Sequence, residues 1–284
     1  MTSFDLGPAI LFVPADRPDR YAKAYQRSDA IIIDLEDAVS PQDRPGARQA
    51  VHEHLTRLDP PHAARTVVRV NPVTESDFTA DVAVLTDTPI EYVMVPKVES
   101  LTDIITAADA LPGVGLIALC ETAAGVMASD NIAHHQAVVA LMWGAEDLMV
   151  STGGSSSRFP DGAYRDVPRF ARAHVLLAAA AHGKGSIDTI HTDLSPTEQL
   201  ISEAQDAVAS GWSAKACIHP AQVPVVRDAY TPSTDDLEYA QLLLAEVPKH
   251  GGAFQFRGTM VDGPLIAHAR NVVARAKKLG NDLS

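Results

Sequence analysis

Eight times between residues 9 and 230 the chain passes through a short apolar run, closes it on a polar or charged residue, and continues into a stretch with helical spacing. The runs are 9–14, 30–34, 66–71, 92–97, 115–121, 138–144, 186–190 and 214–219. Most are unbroken aliphatic or β-branched segments, as in parallel strands covered on both faces, where simple alternation disappears. Between them, 43–58 places Ala47, Val51, Leu55 and Leu58 on one face with Arg48, His52 and Glu53 opposite. Helices are also predicted over 99–111, 163–182, 197–210 and 220–230. Eight strand–helix alternations in this length predict a (β/α)₈ TIM barrel. Periodicity is equally compatible with a doubly wound open sheet.

After Tyr230 the composition changes. Residues 231–236, Thr-Pro-Ser-Thr-Asp-Asp, have turn and N-cap chemistry, which divides the chain into a barrel domain, 1–230, and an extension, 231–284. The extension is read as a helical lid or oligomerisation element, with a helix near 235–247, a Gly/Phe-rich piece at 251–258 and a helix over 264–279. Leu265, Ala269, Val272, Ala276 and Leu279 make a stripe on the last helix that requires a docking surface.

Acidic residues number 36 against 23 Lys plus Arg, a formal charge of −13. Long-range repulsion from phosphate backbones and anionic lipid argues against nucleic-acid or membrane partners. Cys120 and Cys217 are the two cysteines and lack C-x-x-C spacing, so neither a disulfide framework nor a thiolate metal site is expected. With no basic segment ahead of the first apolar run and no run long enough to span a bilayer, a cytoplasmic protein is expected.

A TIM barrel builds its active site at the C-terminal ends of its strands. The residues there are Asp34, Glu36 and Asp37; Arg69 and Asn71; Lys97; Glu121; Glu146 and Asp147; Asp188 and His191; and His219. Any one of these is compatible with a solvated loop, but together they form a polar rim. Carboxylates without thiolates suit a hard cation such as Mg²⁺, which takes one or two carboxylates and completes its shell with water and substrate oxygens. Glu121 and Asp147 make the best pair, on adjacent strands, with Gly144 allowing close approach; Glu146 competes with Asp147. Arg69 suits a carboxylate or enolate oxygen, and an ion pair with Glu36 or Asp37 is its structural alternative. The surrounding carboxylates should keep Lys97 protonated, against a Schiff-base role. Arg158, Arg165, Arg169 and Arg172 fall in a stretch whose acids are Asp161 and Asp166, beside the loop Gly153–Arg158, and suit an anionic ligand. His134 and His135 are placed in a loop. No G-x-S-x-G, H-E-x-x-H, Walker A or G-x-G-x-x-G motif occurs.

The strings DLEDAV (34–39), VPKVES (95–100), ETAAG (121–125), WGAEDL (143–148), IHPAQ (218–222) and MVDGP (260–264), in this order, resemble the citrate lyase β-subunit-like family, within the HpcH/HpaI aldolase and malyl-CoA lyase group. The resemblance implies that Glu121 and Asp147 hold Mg²⁺, that Arg69 contacts the substrate carboxylate and thioester oxygen, and that Glu36 and Asp37 order metal-bound waters. It implies that Lys97 lines the site and that Asp262 reaches from the lid into a neighbouring subunit of a homotrimer. The implied reaction is reversible Claisen cleavage of a 3-hydroxyacyl-CoA, of malyl or citramalyl type, to acetyl-CoA and a 2-oxo acid. The four arginines are then candidates for the phosphates of the coenzyme A thioester. An acyl-carrier-protein thioester and a CoA-free aldolase acting on 4-hydroxy-2-oxo acids are the neighbouring readings. A non-catalytic acyl-CoA-binding barrel disagrees with retention of the metal pair, Arg69 and Asp262.

Overall fold

All eight apolar runs form strands in the computed structural model, which describes residues 4–280. They are β1 Ala9–Pro14, β2 Ala30–Asp34, β3 Thr66–Arg69, β4 Tyr92–Val95, β5 Gly115–Cys120, β6 Val138–Trp143, β7 Gly185–Asp188 and β8 Ala214–Cys217. Every neighbouring pair is parallel, and β8 returns to β1 with Ala9 opposite Lys215, closing the barrel and setting aside the open sheet. Several runs extend beyond the ladder, so Asn71, Lys97 and Glu121 lie just past their strands. That frees their side chains and amides from pairing. Alternate residues fill the barrel interior, among them Ile10, Ile32, Val67, Met94, Leu119, Met142, Ile187 and Ala216, all buried. Each large apolar side chain contributes roughly 1.5–3 kcal/mol, so the interior is a packed core and chemistry is confined to its mouth.

The helices are α1 Tyr21–Arg27, α2 Arg44–Leu55, α3 Pro60–Ala63, α4 Ser76–Leu85, α5 Leu101–Ala110, α6 Ala123–His134, α7 Ala145–Thr152, α8 Asp166–Ala181, α9 Glu198–Ser210, α10 Gln222–Tyr230, α11 Thr234–Glu246 and α12 Gly263–Lys278. Sequence spacing omits α1, α3, α4, α6 and α7. In α6 the reason is chemical: its buried face intersperses Gly125, Ser129 and Ala133 with Val126 and Ile132, which breaks the stripe of large apolar residues. His134 is therefore the last residue of a helix, not part of a loop, and its ring packs edge-on against His182. Among the described residues, no helix is long and apolar enough to cross a membrane.

The chain divides into two compact units, one running to Val226 and one from Arg227. In the second, the Gly/Phe-rich piece contains a hairpin absent from the helical expectation, β9 Phe254–Phe256 and β10 Thr259–Val261. Its two-residue turn is Arg257-Gly258, at φ 48° and 86°, the positive values that match the twist of a tight hairpin. Leu243, Phe254, Val261, Ala269 and Val272 form this unit's own core.

Gly125 lets α6 lie against the loop after β4. A β-carbon there would stand 2.1 Å from the Val98 carbonyl oxygen, a backbone atom that cannot swing aside. Gly125→Ala is expected to destabilise the protein by about 1–3 kcal/mol, the usual cost of overpacking, read as a lowered urea midpoint; an unchanged midpoint would contradict this close approach.

Candidate active site

Barrel register brings the first functional pair together. Asp34 and Arg69, the last residues of β2 and β3, are ladder partners. The Arg69 guanidinium donates to both oxygens of Asp34, Nε to Oδ1 at 2.7 Å and Nη2 to Oδ2 at 2.6 Å. The same carboxylate accepts from the backbone N–H groups of Glu36 and Ala38 at 3.0 and 3.1 Å, shaping the loop after β2. That turn sends Glu36 inward, where it is 2% exposed. Its Oε2 lies 2.9 Å from Arg69 Nη1 and its Oε1 2.5 Å from Lys97 Nζ. Asp37 remains exposed, 3.4 Å from Arg69 and 3.8 Å from Lys97. Lys97 Nζ also lies 3.9 Å from Asp147, while its backbone N–H donates to Glu121 Oε1 at 3.1 Å. Arg69, Glu36, Asp37, Lys97, Glu121 and Asp147 thus form one connected charge cluster.

The titration shifts report that crowding. Burial, then the charges of Asp147 and Glu36, push the Glu121 carboxyl up to about 8, against the pull of Arg69 and Lys97. Burial also raises Glu36, although Arg69 and Lys97 oppose it. For Arg69, burial disfavours the cation, but the charge of Asp34 and its hydrogen bonds prevail and hold the guanidinium above its ordinary value. At Lys97 burial likewise loses to the hydrogen bond and charge of Glu36, and the ammonium is held protonated.

Over the cluster opens a cavity of about 380 Å³. Arg69, Asp37, Glu121, Glu146 and Asp147 contribute polar groups to its lining, and Phe12, Leu119, Met142, Ile190 and Ile218 an apolar wall. A β-carbon on Gly144 would come 2.8 Å from both Cβ and Oε2 of Glu121, so glycine keeps the floor beneath that carboxylate open. Among the described residues no cluster of three or more His, Cys, Asp or Glu side chains has metal-binding geometry. The cavity instead offers two all-oxygen donors, Glu121 and Asp147, whose mutual repulsion a cation relieves. Glu36 Oε2 is buried without an aligned hydrogen-bond donor, although the Arg69 guanidinium lies 2.9 Å away. This set fits a hard divalent ion holding few protein ligands and several waters. Glu146, also at the cavity, has its Oε1 engaged, accepting from Ser157 Oγ at 2.7 Å.

The arginines from 158 to 172 have different partners. Arg158 pairs with Glu203 at 2.7 Å and lies over the Tyr164 ring, and Arg172 pairs with Asp188 and Asp206. Arg165 stacks on Phe159 and Arg169 faces Asp166 at 3.6 Å; both are exposed. His191 belongs to the Arg158–Glu203 network, with Nδ1 3.2 Å from Glu203. Asp262 is exposed at the N-terminus of α12, in the second unit. The residue underestimated by sequence reasoning is Asp34, which organises both Arg69 and the β2 loop. Its strand-end position opposite Arg69 was the available signal.

The HpcH/HpaI aldolase/citrate lyase family signature matches residues 9–220, and a signature described as a C-C bond lyase of the TIM-barrel fold matches residues 164–281. A citrate lyase subunit beta-like protein of Mycobacterium tuberculosis is 46% identical over 270 residues, spanning 95% of this chain and 96% of its own. A (3S)-malyl-CoA thioesterase of Cereibacter sphaeroides is 31% identical over 277 residues, 95% of each chain. The crystal structure of CitE from M. tuberculosis in complex with magnesium, acetoacetate and coenzyme A matches with a TM-score of 0.87 at 46% identity, covering 96% of this chain and 98% of that one.

Glu121 predicts a pH dependence of stability in chelator. Unfolded, it releases its proton near the ordinary value of 4.5; folded, it keeps it until about 8. The unfolded state binds fewer protons across that window, so this contribution is present below 4.5 and is lost as pH rises through 8. Glu121→Gln should flatten the slope, measured by chemical denaturation at several pH values in EDTA; an unaltered slope would refute the assignment.

Proposed function

This chain belongs to the HpcH/HpaI aldolase/citrate lyase family, and from that premise we propose that it is a magnesium-dependent lyase acting on a 3-hydroxyacyl-CoA of malyl or citramalyl type, with acetyl-CoA and a 2-oxo acid as products. The observation that carries this reading is the single cavity that Glu121, Asp147 and Arg69 share with an apolar wall. The magnesium, acetoacetate and coenzyme A in the related CitE structure support it.

In this reading Glu121 and Asp147 hold the ion, which when bound supplies Lewis acidity towards the oxygens of the 2-oxo acid. Arg69, pinned by Asp34, presents a fixed positive charge to the oxygen on which enolate charge develops, without reorganising during the reaction. Glu36 and Asp37 take hydrogen bonds from ordered water. A rim carboxylate takes the hydroxyl proton as the C–C bond breaks, and the electron pair of that bond becomes the enolate. The apolar wall of Phe12, Leu119, Met142 and Ile190 excludes water from that enolate. Arg165 and Arg169, exposed and weakly paired, are better placed for coenzyme A phosphates than Arg158 and Arg172, whose guanidiniums are engaged internally.

The test is formation of a malyl- or citramalyl-CoA thioester when acetyl-CoA is mixed with glyoxylate or pyruvate, followed by separation and mass spectrometry, with the thioester absorbance conserved because the C–S bond is not broken. Turnover is expected with Mg²⁺ and not with EDTA, and Arg69→Ala should lower kcat by about 10²–10³, as loss of an oxyanion donor does. Turnover confined to free 4-hydroxy-2-oxo acids would replace this reading with the CoA-free aldolase. The malyl-CoA thioesterase relative supplies a second reading; release of free CoA from malyl-CoA together with malate would favour it.

The same reading makes the protein a homotrimer in which Asp262 serves a neighbouring subunit. Co-expressed Asp262→Asn and Glu121→Gln chains, each inactive alone, should then regain about a quarter of wild-type activity by random assembly of a cyclic oligomer. Absence of any rescue would place Asp262 outside a shared site.

A further inference from the structure

The backbone of Lys97 is in the left-handed region at φ 50°, a conformation costly for a side chain with a β-carbon. Glycine would adopt it freely, so the lysine side chain is what the position retains. Two contacts account for the arrangement. The turn aims the Lys97 N–H at Glu121 Oε1, 3.1 Å away, and carries the side chain back so that Nζ reaches Glu36 at 2.5 Å, Asp37 at 3.8 Å and Asp147 at 3.9 Å. Arg69, the other cation of the cluster, is committed bidentately to Asp34 and touches Glu36 and Asp37 but not Asp147. Lys97 is therefore the cation that bridges the Glu36 side of the site to the metal-ligand side.

We propose that Lys97 is the resident counter-ion of the site: its ammonium holds Glu36, Asp37 and Asp147 together when no metal is bound, and competes with a divalent ion for Asp147, so that it weakens metal binding to an exchangeable level. This rests on the preceding assignment of Glu121 and Asp147 as metal ligands. Physically, an ammonium within about 4 Å of a ligand oxygen repels an incoming dication and stabilises the same carboxylates without it. It is a positioning role, distinct from nucleophilic chemistry.

The experiment measures Mg²⁺ affinity by calorimetry and melting temperature in EDTA for wild type, Lys97→Met, Lys97→Gln and Lys97→Arg. Loss of charge in the Met and Gln variants should tighten Mg²⁺ binding about tenfold. It should also lower the metal-free melting temperature by several degrees, a deficit that saturating Mg²⁺ removes because ligand binding stabilises the folded state. Lys97→Arg should stay within about twofold of wild-type affinity, since the charge is kept. The Gln variant retains a hydrogen bond to Glu36 and gives the same reading if the Met variant does not fold. An unchanged or weakened Mg²⁺ affinity in the uncharged variants overturns the proposal, as does an unaltered metal-free melting temperature. Failure of the metal assignment itself shows separately, as absence of Mg²⁺ binding by the wild-type protein.

Discussion

The Asp34–Arg69 pair is the interaction on which the rest of the site depends. It joins ladder partners on adjacent strands, so the strand register sets its geometry. Burying a guanidinium is costly unless its charge and donors are matched, and the bidentate contact supplies both. Around the rim the dependence runs in strand order. Asp34 turns the β2 loop and drives Glu36 inward, Glu36 holds the ammonium that follows β4, and the amide of that lysine fixes Glu121 after β5. The carboxylate of Glu121, just past β5, is thereby oriented through contacts that begin at the ion pair between β2 and β3.

The architecture was legible because a strand covered on both faces leaves an apolar run that little else in a soluble chain imitates. Helices packing through small residues left no comparable trace, as α6 shows with Gly125, Ser129 and Ala133 on its buried face. The hairpin of residues 254–261 escaped because its turn uses Arg257 where Asn or Asp is the usual signal. At the rim, residue type identified the participants but not their orientation. Glu146 and Asp147 are neighbours in sequence and about 100° apart around α7, enough to send one to Ser157 and the other towards Lys97. Similarly, the spacing of Arg158 and Arg172 gave no sign of Glu203 and Asp188, the carboxylates they meet from elsewhere in the chain.

Two of the charge networks in this barrel differ in their balance. Beside β7 and β8, Asp188, Glu203 and Asp206 are matched by Arg158, Arg172 and Lys215. Asp188 is fully buried, and burial alone would raise its carboxyl; Lys215 and Arg172 outweigh that and hold it below its ordinary value. Such a network is electrically complete and ties α8 and α9 to the barrel. Around the cavity, Asp34, Glu36, Asp37, Glu121 and Asp147 outnumber Arg69 and Lys97, the cations that pair with this group among the described residues. The comparably buried Glu121 moves the opposite way, up to about 8. A folded chain gains nothing in stability from an unmatched buried carboxylate, so the surplus is strain that the fold tolerates here. Its natural relief is added positive charge, and the oxygen-only donors beside an open glycine floor specify a hard cation as its source. Burial of Glu121 among like charges is thus the cost that a cation held at this cavity would offset.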